Sequence, residues 1–177
     1  MKNPVRNLFL IGYRGTGKTV LGKRVARKLN MPFVDTDNII VSLAEKTIPE
    51  IFENDGEEVF RQFETDALKK VSKIDGQVIS CGGGIIVKER NLPILHEKGI
   101  VCLLTADAKT IYNRIYKDGN RPALTDKDPY EEIEHLLEVR GPLYEKAKDF
   151  EVDTATTEFD RCLEEVIVNY QRLSNNS

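Results

Sequence analysis

The chain is short of the features that mark secreted, membrane-spanning or nucleic-acid-coating proteins. It carries only three cysteines in 177 residues, Cys81, Cys102 and Cys162. Their odd number, wide spacing and lack of any C-x-x-C pair exclude a disulfide framework and supply no zinc site. The two histidines, His96 and His135, have no partner at metal-ligand spacing and read as surface or capping residues. The longest apolar run near the start, Leu8 to Ile11, is far below the roughly 18 residues that a membrane helix needs. No targeting segment is visible, so a cytoplasmic protein is expected, with no membrane partner. Positive charge is not in excess either. The 26 Lys and Arg against 29 Asp and Glu leave a net charge of −3, which gives no general attraction to a nucleic-acid backbone.

What is present is an alternation of strand-like and helical periods along the whole length, the pattern of helices packed on a mostly parallel sheet. The length suits a single domain over residues 1–177, and 40% hydrophobic residues suffice for a core. Leu8 to Ile11 reads as a buried strand ending in a glycine loop, followed by Val20, Leu21, Val25 and Leu29 at helical spacing, with Asn30 and Pro32 closing the helix. Further strands are expected at 33–35, 78–80, 100–104 and 150–152, which makes five. Phe60, Phe63, Ala67, Leu68 and Val71 define one amphipathic helix. Ile111 and Ile115 mark a second, Ile133 to Arg140 a third, and Phe159 to Leu173 a C-terminal one. The expected fold class is therefore α/β, three layers around a five-stranded parallel sheet. Residues 117–129 hold Gly, Asn and two prolines with little periodicity, a long loop of the length that is more often functional than incidental.

The strongest chemical signal is Gly12-Tyr13-Arg14-Gly15-Thr16-Gly17-Lys18-Thr19, which fits G-x-x-x-x-G-K-[ST] between a strand and a helix. Glycines let the backbone wrap a phosphate chain, the helix N-terminus adds oriented dipole, Lys18 reaches β and γ oxygens, and Thr19 can ligate Mg²⁺. A nucleoside triphosphate site follows. Arg14 inside the loop is expected to point to water, and Lys23, Arg24, Arg27 and Lys28 to form a solvated face. Asp35-Thr36-Asp37 closes the second strand, where positions i and i+2 share a side. If that strand lies beside the first, the pair stands at the ligand-binding edge of the sheet. The alternative is a strand-end turn with Asp37 capping a helix. Arg61 and Glu64 are three apart on a helix, an ion pair that by itself reads as a solvated surface pair. Gly82-Gly83-Gly84 after the third strand implies that a ligand or another backbone approaches closely. Arg121-Pro122 lies in the long loop, and Arg140-Gly141-Pro142-Leu143-Tyr144 is read as the end of the helix after it.

Taken in order, the phosphate loop, D-x-D, F-R-x-x-E at 60–64, triple glycine, R-P and the later arginine before L-Y resemble the shikimate kinase family. The resemblance implies a P-loop kinase with a lid at about 117–129 that phosphorylates the 3-hydroxyl of shikimate with ATP and Mg²⁺, in aromatic amino-acid biosynthesis. It implies that Gly15, Thr16, Gly17, Lys18, Thr19, Val20, Arg114 and Arg121 hold the nucleotide, and that Thr19 and Asp35 serve the metal. Asp37, Lys18 and Arg121 would be catalytic. Asp37, Arg61, Gly82, Gly83, Gly84 and Arg140 would bind the acceptor, the two arginines at its carboxylate. A monomer is expected. Two positions depart from the family pattern: Arg14 stands where an apolar residue is usual, and Asp153 to Thr157 lacks the basic residue or proline expected near adenine. The competing readings are a kinase of gluconate or a nucleoside monophosphate, and a nucleotide-binding module without chemistry.

Overall fold

The computed structural model describes residues 5–116 and 128–175. Its elements run β1 (Asn7–Ile11), α1 (Lys18–Leu29), β2 (Phe33–Asp35), α2 (Thr36–Ala44), α3 (Ile48–Asn54), α4 (Glu57–Val71), β3 (Val78–Ser80), α5 (Asn91–Lys98), β4 (Gly99–Thr105), α6 (Ala108–Tyr116), α7 (Pro129–Ala147), β5 (Phe150–Asp153) and α8 (Phe159–Asn175). The five strands make one parallel sheet in the order β2-β3-β1-β4-β5.

Parallel strands are covered on both faces, so the central ones are largely apolar, and successive side chains part to opposite sides. In β1, Leu8 and Leu10 join Ile100, Cys102 and Leu104 of β4 under α1 and α8, where Leu21, Val25, Cys162 and Val166 complete one layer. Phe9 and Ile11 face the other way with Val101 and Leu103, beneath Leu68, Val71, Leu95, Tyr144 and Ala147 of α4, α5 and α7. A third cluster unites Tyr13 with Ile111, Ile115 and Ile133 of α6 and α7. A fourth ties α2, α3 and α4 together through Ile40, Ile51, Phe60 and Ala67.

Two expectations are corrected here, and three helices are added. The second strand does not lie beside the first: β3 separates them, pairing Leu10 with Ser80 on one side and Asp35 with Ser80 on the other. The helix through Arg140 does not stop there. It continues across Gly141 and Pro142 to Ala147, because burial of Tyr144 and Ala147 against the sheet offsets the missing proline N–H. Finally α2, α3 and α5, too short to show a clear period, were not legible in the sequence.

Candidate active site

The chain reverses its direction of sheet growth at β1, with β3 on one side and β4 on the other, and open α/β sheets bind ligands at such a point beyond the strand carboxyl ends. The loop after β1 and the loop after β3 both open there, into a cleft of about 890 Å³.

The loop after β1 is shaped by three glycines with positive φ, Gly12 at 139°, Gly15 at 82° and Gly17 at 93°, values that L side chains rarely adopt. Gly17 caps α1 without a side-chain acceptor, and the first turn holds no acidic residue, so its N–H groups remain for an anion. Inside the loop the Lys18 ammonium donates to the carbonyls of Gly12 at 2.7 Å and Tyr13 at 2.9 Å, which fixes it against the backbone. Thr16 is buried under the loop and donates its hydroxyl to the Tyr13 carbonyl at 2.8 Å. The Thr16 hydroxyl is thus turned into the loop, while Gly15, Gly17, Lys18, Thr19 and Val20 line the cleft.

Asp35 is the N-cap of α2 and accepts from the Asp37 amide at 3.1 Å, so the capping aspartate is Asp35 and not Asp37. Its other oxygen accepts from the Thr19 hydroxyl at 3.0 Å. Asp37 is already in the helix instead of extended chain, yet both acids line the cleft. Registration of β2 on β3 explains this: Thr36 accepts from the Gly82 amide at 3.0 Å, which brings the start of α2 onto the glycine loop. The hard oxygens of Thr19 and Asp35 beside an anion-binding loop fit Mg²⁺, which usually takes one or two protein ligands and fills its octahedron with phosphate and water. Among the described residues no group of three or more His, Cys, Asp or Glu gathers at metal spacing.

Arg61 and Glu64 overturn the surface reading of their pair. Both are buried, at 6% and 2% exposure, and the guanidinium donates to Glu64 at 2.6 Å and to Glu57 at 2.8 Å. Burial raises the Glu64 carboxyl above its ordinary range, against the pull of Arg61, and the Asp37 charge raises it further. Burial alone would lower Arg61, but Glu64 and Glu57 hold it above its ordinary value. The glycine loop is built around these groups. A Cβ on Gly82 would lie 2.9 Å from Glu64 Oε1 and 3.0 Å from Asp37 Oδ1, and one on Gly84 would collide with the Arg61 guanidinium. Arg140 donates to the Gly83 carbonyl at 3.5 Å, beside Tyr144, whose hydroxyl donates to the same oxygen at 2.6 Å. Burial pushes the Tyr144 hydroxyl up to about 12, which keeps it a donor. Gly82 and Gly83 line the cleft, and Arg61 and Arg140 meet the same loop at Gly84 and at the Gly83 carbonyl.

On the opposite wall Arg114 donates to the Gly15 carbonyl at 3.3 Å and to the Thr154 hydroxyl at 2.9 Å, and Thr154 in turn bonds the Thr16 carbonyl at 3.0 Å. Thr154, Glu64 and Tyr144 were not singled out as site residues in the sequence. Thr154 carries no local motif, whereas Glu64 and Tyr144 stand in the F-R-x-x-E and L-Y motifs, which could have pointed to them. Arg121 lies outside the described residues, as does the expected lid except for Asp128 and Pro129, which begin α7.

A parallel sheet with a phosphate loop at its switch point defines the class: a P-loop kinase fold. It is shared with a gluconokinase from Sinorhizobium meliloti at TM-score 0.62 and 14% identity, over 99% of this chain and 97% of that one. The finer comparisons are more specific. The shikimate kinase family profile matches residues 14–171. A shikimate kinase from Thermodesulfovibrio yellowstonii is 41% identical over 171 residues, 97% of this chain and 98% of that protein. The structure of a shikimate kinase from Acinetobacter baumannii in complex with shikimate superposes with TM-score 0.86 at 33% identity, covering 97% of this chain and 94% of that one. The chain belongs to the shikimate kinase family.

Proposed function

We propose that this protein transfers the γ-phosphoryl group of ATP to the 3-hydroxyl of shikimate, giving shikimate 3-phosphate and ADP, and that the whole chain acts as one kinase domain and as a monomer. The observation that carries this reading is the convergence of Asp37, Glu64 and the Arg61 guanidinium on the glycine loop, whose Gly82 and Gly83 line the same cleft as Lys18. An acceptor with a carboxylate at one end and hydroxyls at the other matches cations behind the glycine loop and an acid beside the phosphate cradle. Arginine suits the carboxylate through its two-pronged donor geometry.

In this reading the N-terminal turn of α1 and Lys18 hold the β and γ phosphates, while Arg114, fixed by Thr154, borders the base. Thr19 and Asp35 would hold Mg²⁺, which supplies charge neutralisation on the phosphates when bound. Arg61 and Arg140 grip the acceptor carboxylate. Asp37 orients the 3-hydroxyl and takes its proton as the oxygen attacks phosphorus and the bridge to ADP breaks. Such transfer asks mainly for positioning and charge stabilisation. Arg121 is assigned here to the phosphates.

The test is ADP release by the purified protein with shikimate, quinate, gluconate and AMP as acceptors. Turnover with shikimate alone is expected, and turnover with gluconate or AMP but not shikimate would sink the assignment.

A further inference from the structure

Arg14 does not behave as the solvated residue its position suggests. It is half-buried and lines the cleft together with Lys18, Thr19, Asp37 and Gly83. Its Nε is fully buried with no hydrogen-bond partner, Nη2 donates to the hydroxyl of Tyr116 at the end of α6 at 3.3 Å, and the guanidinium also lies close enough to the Tyr13 hydroxyl to act on it. No carboxylate pairs with it among the described residues. A guanidinium offers five donors, and leaving them unmet at a partly desolvated wall is costly. Among its five donors only Nε is cut off from both protein and water, and the side chain meets neutral tyrosine hydroxyls and no carboxylate among the described residues, so its charge is free to pair with an anion in the cleft.

Where that anion sits follows from the backbone. The Tyr13 carbonyl, which is bonded to the Arg14 nitrogen, accepts from the Lys18 ammonium at 2.9 Å. On the other side, a Cβ on Gly83 would lie 3.4 Å from the Arg14 nitrogen. Arg14 thus roots between the lysine that meets the terminal phosphates and the loop that meets the acceptor. Arg61 and Arg140, by contrast, are already engaged with Glu57 and Glu64 and with the Gly83 carbonyl. We propose that Arg14 is a further catalytic residue, which leaves Tyr116 to bind the phosphoryl group in flight and stabilise the charge on its equatorial oxygens. This inference rests on the proposed kinase reaction. The bond from the acceptor oxygen to phosphorus forms as the bridging bond breaks, the electron pair leaves on ADP and the hydroxyl proton passes to Asp37, so Arg14 exchanges no proton.

The test compares wild type with Arg14→Met, Arg14→Lys and Tyr116→Phe. Arg14→Met is expected to lower kcat roughly 10²–10³-fold, the loss typical of removing one preorganised donor from developing charge, with KM for both substrates unchanged. Arg14→Lys should recover part of the rate, and Tyr116→Phe, which removes only the resting partner, should keep it. Calorimetry without acceptor supplies a second reading: Arg14→Met should bind Mg²⁺, ADP and aluminium fluoride more weakly by a similar factor, yet bind ADP as wild type does. Unchanged kcat and unchanged aluminium fluoride affinity would overturn the proposal. So would a loss confined to shikimate KM and absent with an analogue lacking the carboxylate. If wild type fails to turn over shikimate, the acceptor assignment falls, and the acceptor-free calorimetry still decides Arg14.

Discussion

Asp37 and Glu64 bring two carboxylates to the space a Gly82 side chain would fill, one lining the cleft and one buried. Changing Asp37 to Asn keeps shape and removes the proton acceptor, so kcat should fall roughly 10²–10⁴-fold, the usual contribution of a positioned base, while ATP binding measured by calorimetry persists. Arg61→Ala leaves Glu64 buried without its cation, a change that costs about 3–5 kcal/mol of stability when a buried pair is broken. Chemical denaturation should show that loss, and acceptor KM should rise far less with an analogue lacking the carboxylate. Glu64 also has a pH signature. Its carboxyl is raised by burial, so between the ordinary carboxyl value of 4.5 and its raised value the folded state binds the proton more than the unfolded chain does. Stability from this group is therefore fully present at low pH and lost as pH rises through that window. Unfolding of wild type relative to Glu64→Gln, followed by urea from pH 4 upward, should show the wild type losing ground as pH increases, and a constant difference would exclude the shift.

At the scale of elements, the glycine loop after β3 matters because of what fills the space a side chain would need. Gly84→Ala would displace the Arg61 guanidinium from Glu64 and Glu57. The expected result is a protein that folds, binds ATP normally and has a much raised acceptor KM, checked by steady-state kinetics. The backbone of the phosphate loop, by contrast, was legible in the sequence, because its three glycines adopt conformations that local sequence dictates, whereas the place of the Arg14 side chain within it was not. The D-x-D turn was half legible. Its acids do reach the cleft, but β2 adjoins β3 instead of β1, and the capping duty falls on Asp35. Strand order is set by long-range pairing, which no local period records.

Across the molecule, the three cysteines are buried: Cys81 between β3 and the glycine loop, Cys102 in β4 and Cys162 on the inner face of α8. Burial raises all three thiols above their ordinary value, so thiolate is scarce and access is closed. In native buffer an aromatic disulfide reagent should label none of them quickly, and labelling in urea should track global unfolding monitored by circular dichroism. Fast labelling of Cys102 in the native protein would show that the sheet opens locally. Among the described residues no helix is long and apolar enough to cross a membrane.

The sequence by itself determined the α/β class, the number and place of the five strands, the phosphate loop and, through an ordered set of short motifs, the family. These are readable because they depend on local periodicity and on backbone conformations that only certain residues adopt. Only the tertiary structure decided that Arg61 and Glu64 are buried, that Thr154 and Tyr144 support the site, and that Arg14 turns from solvent to the cleft. Each of those depends on which distant elements close over a side chain, and exclusion of water by remote packing leaves no trace in neighbouring residues.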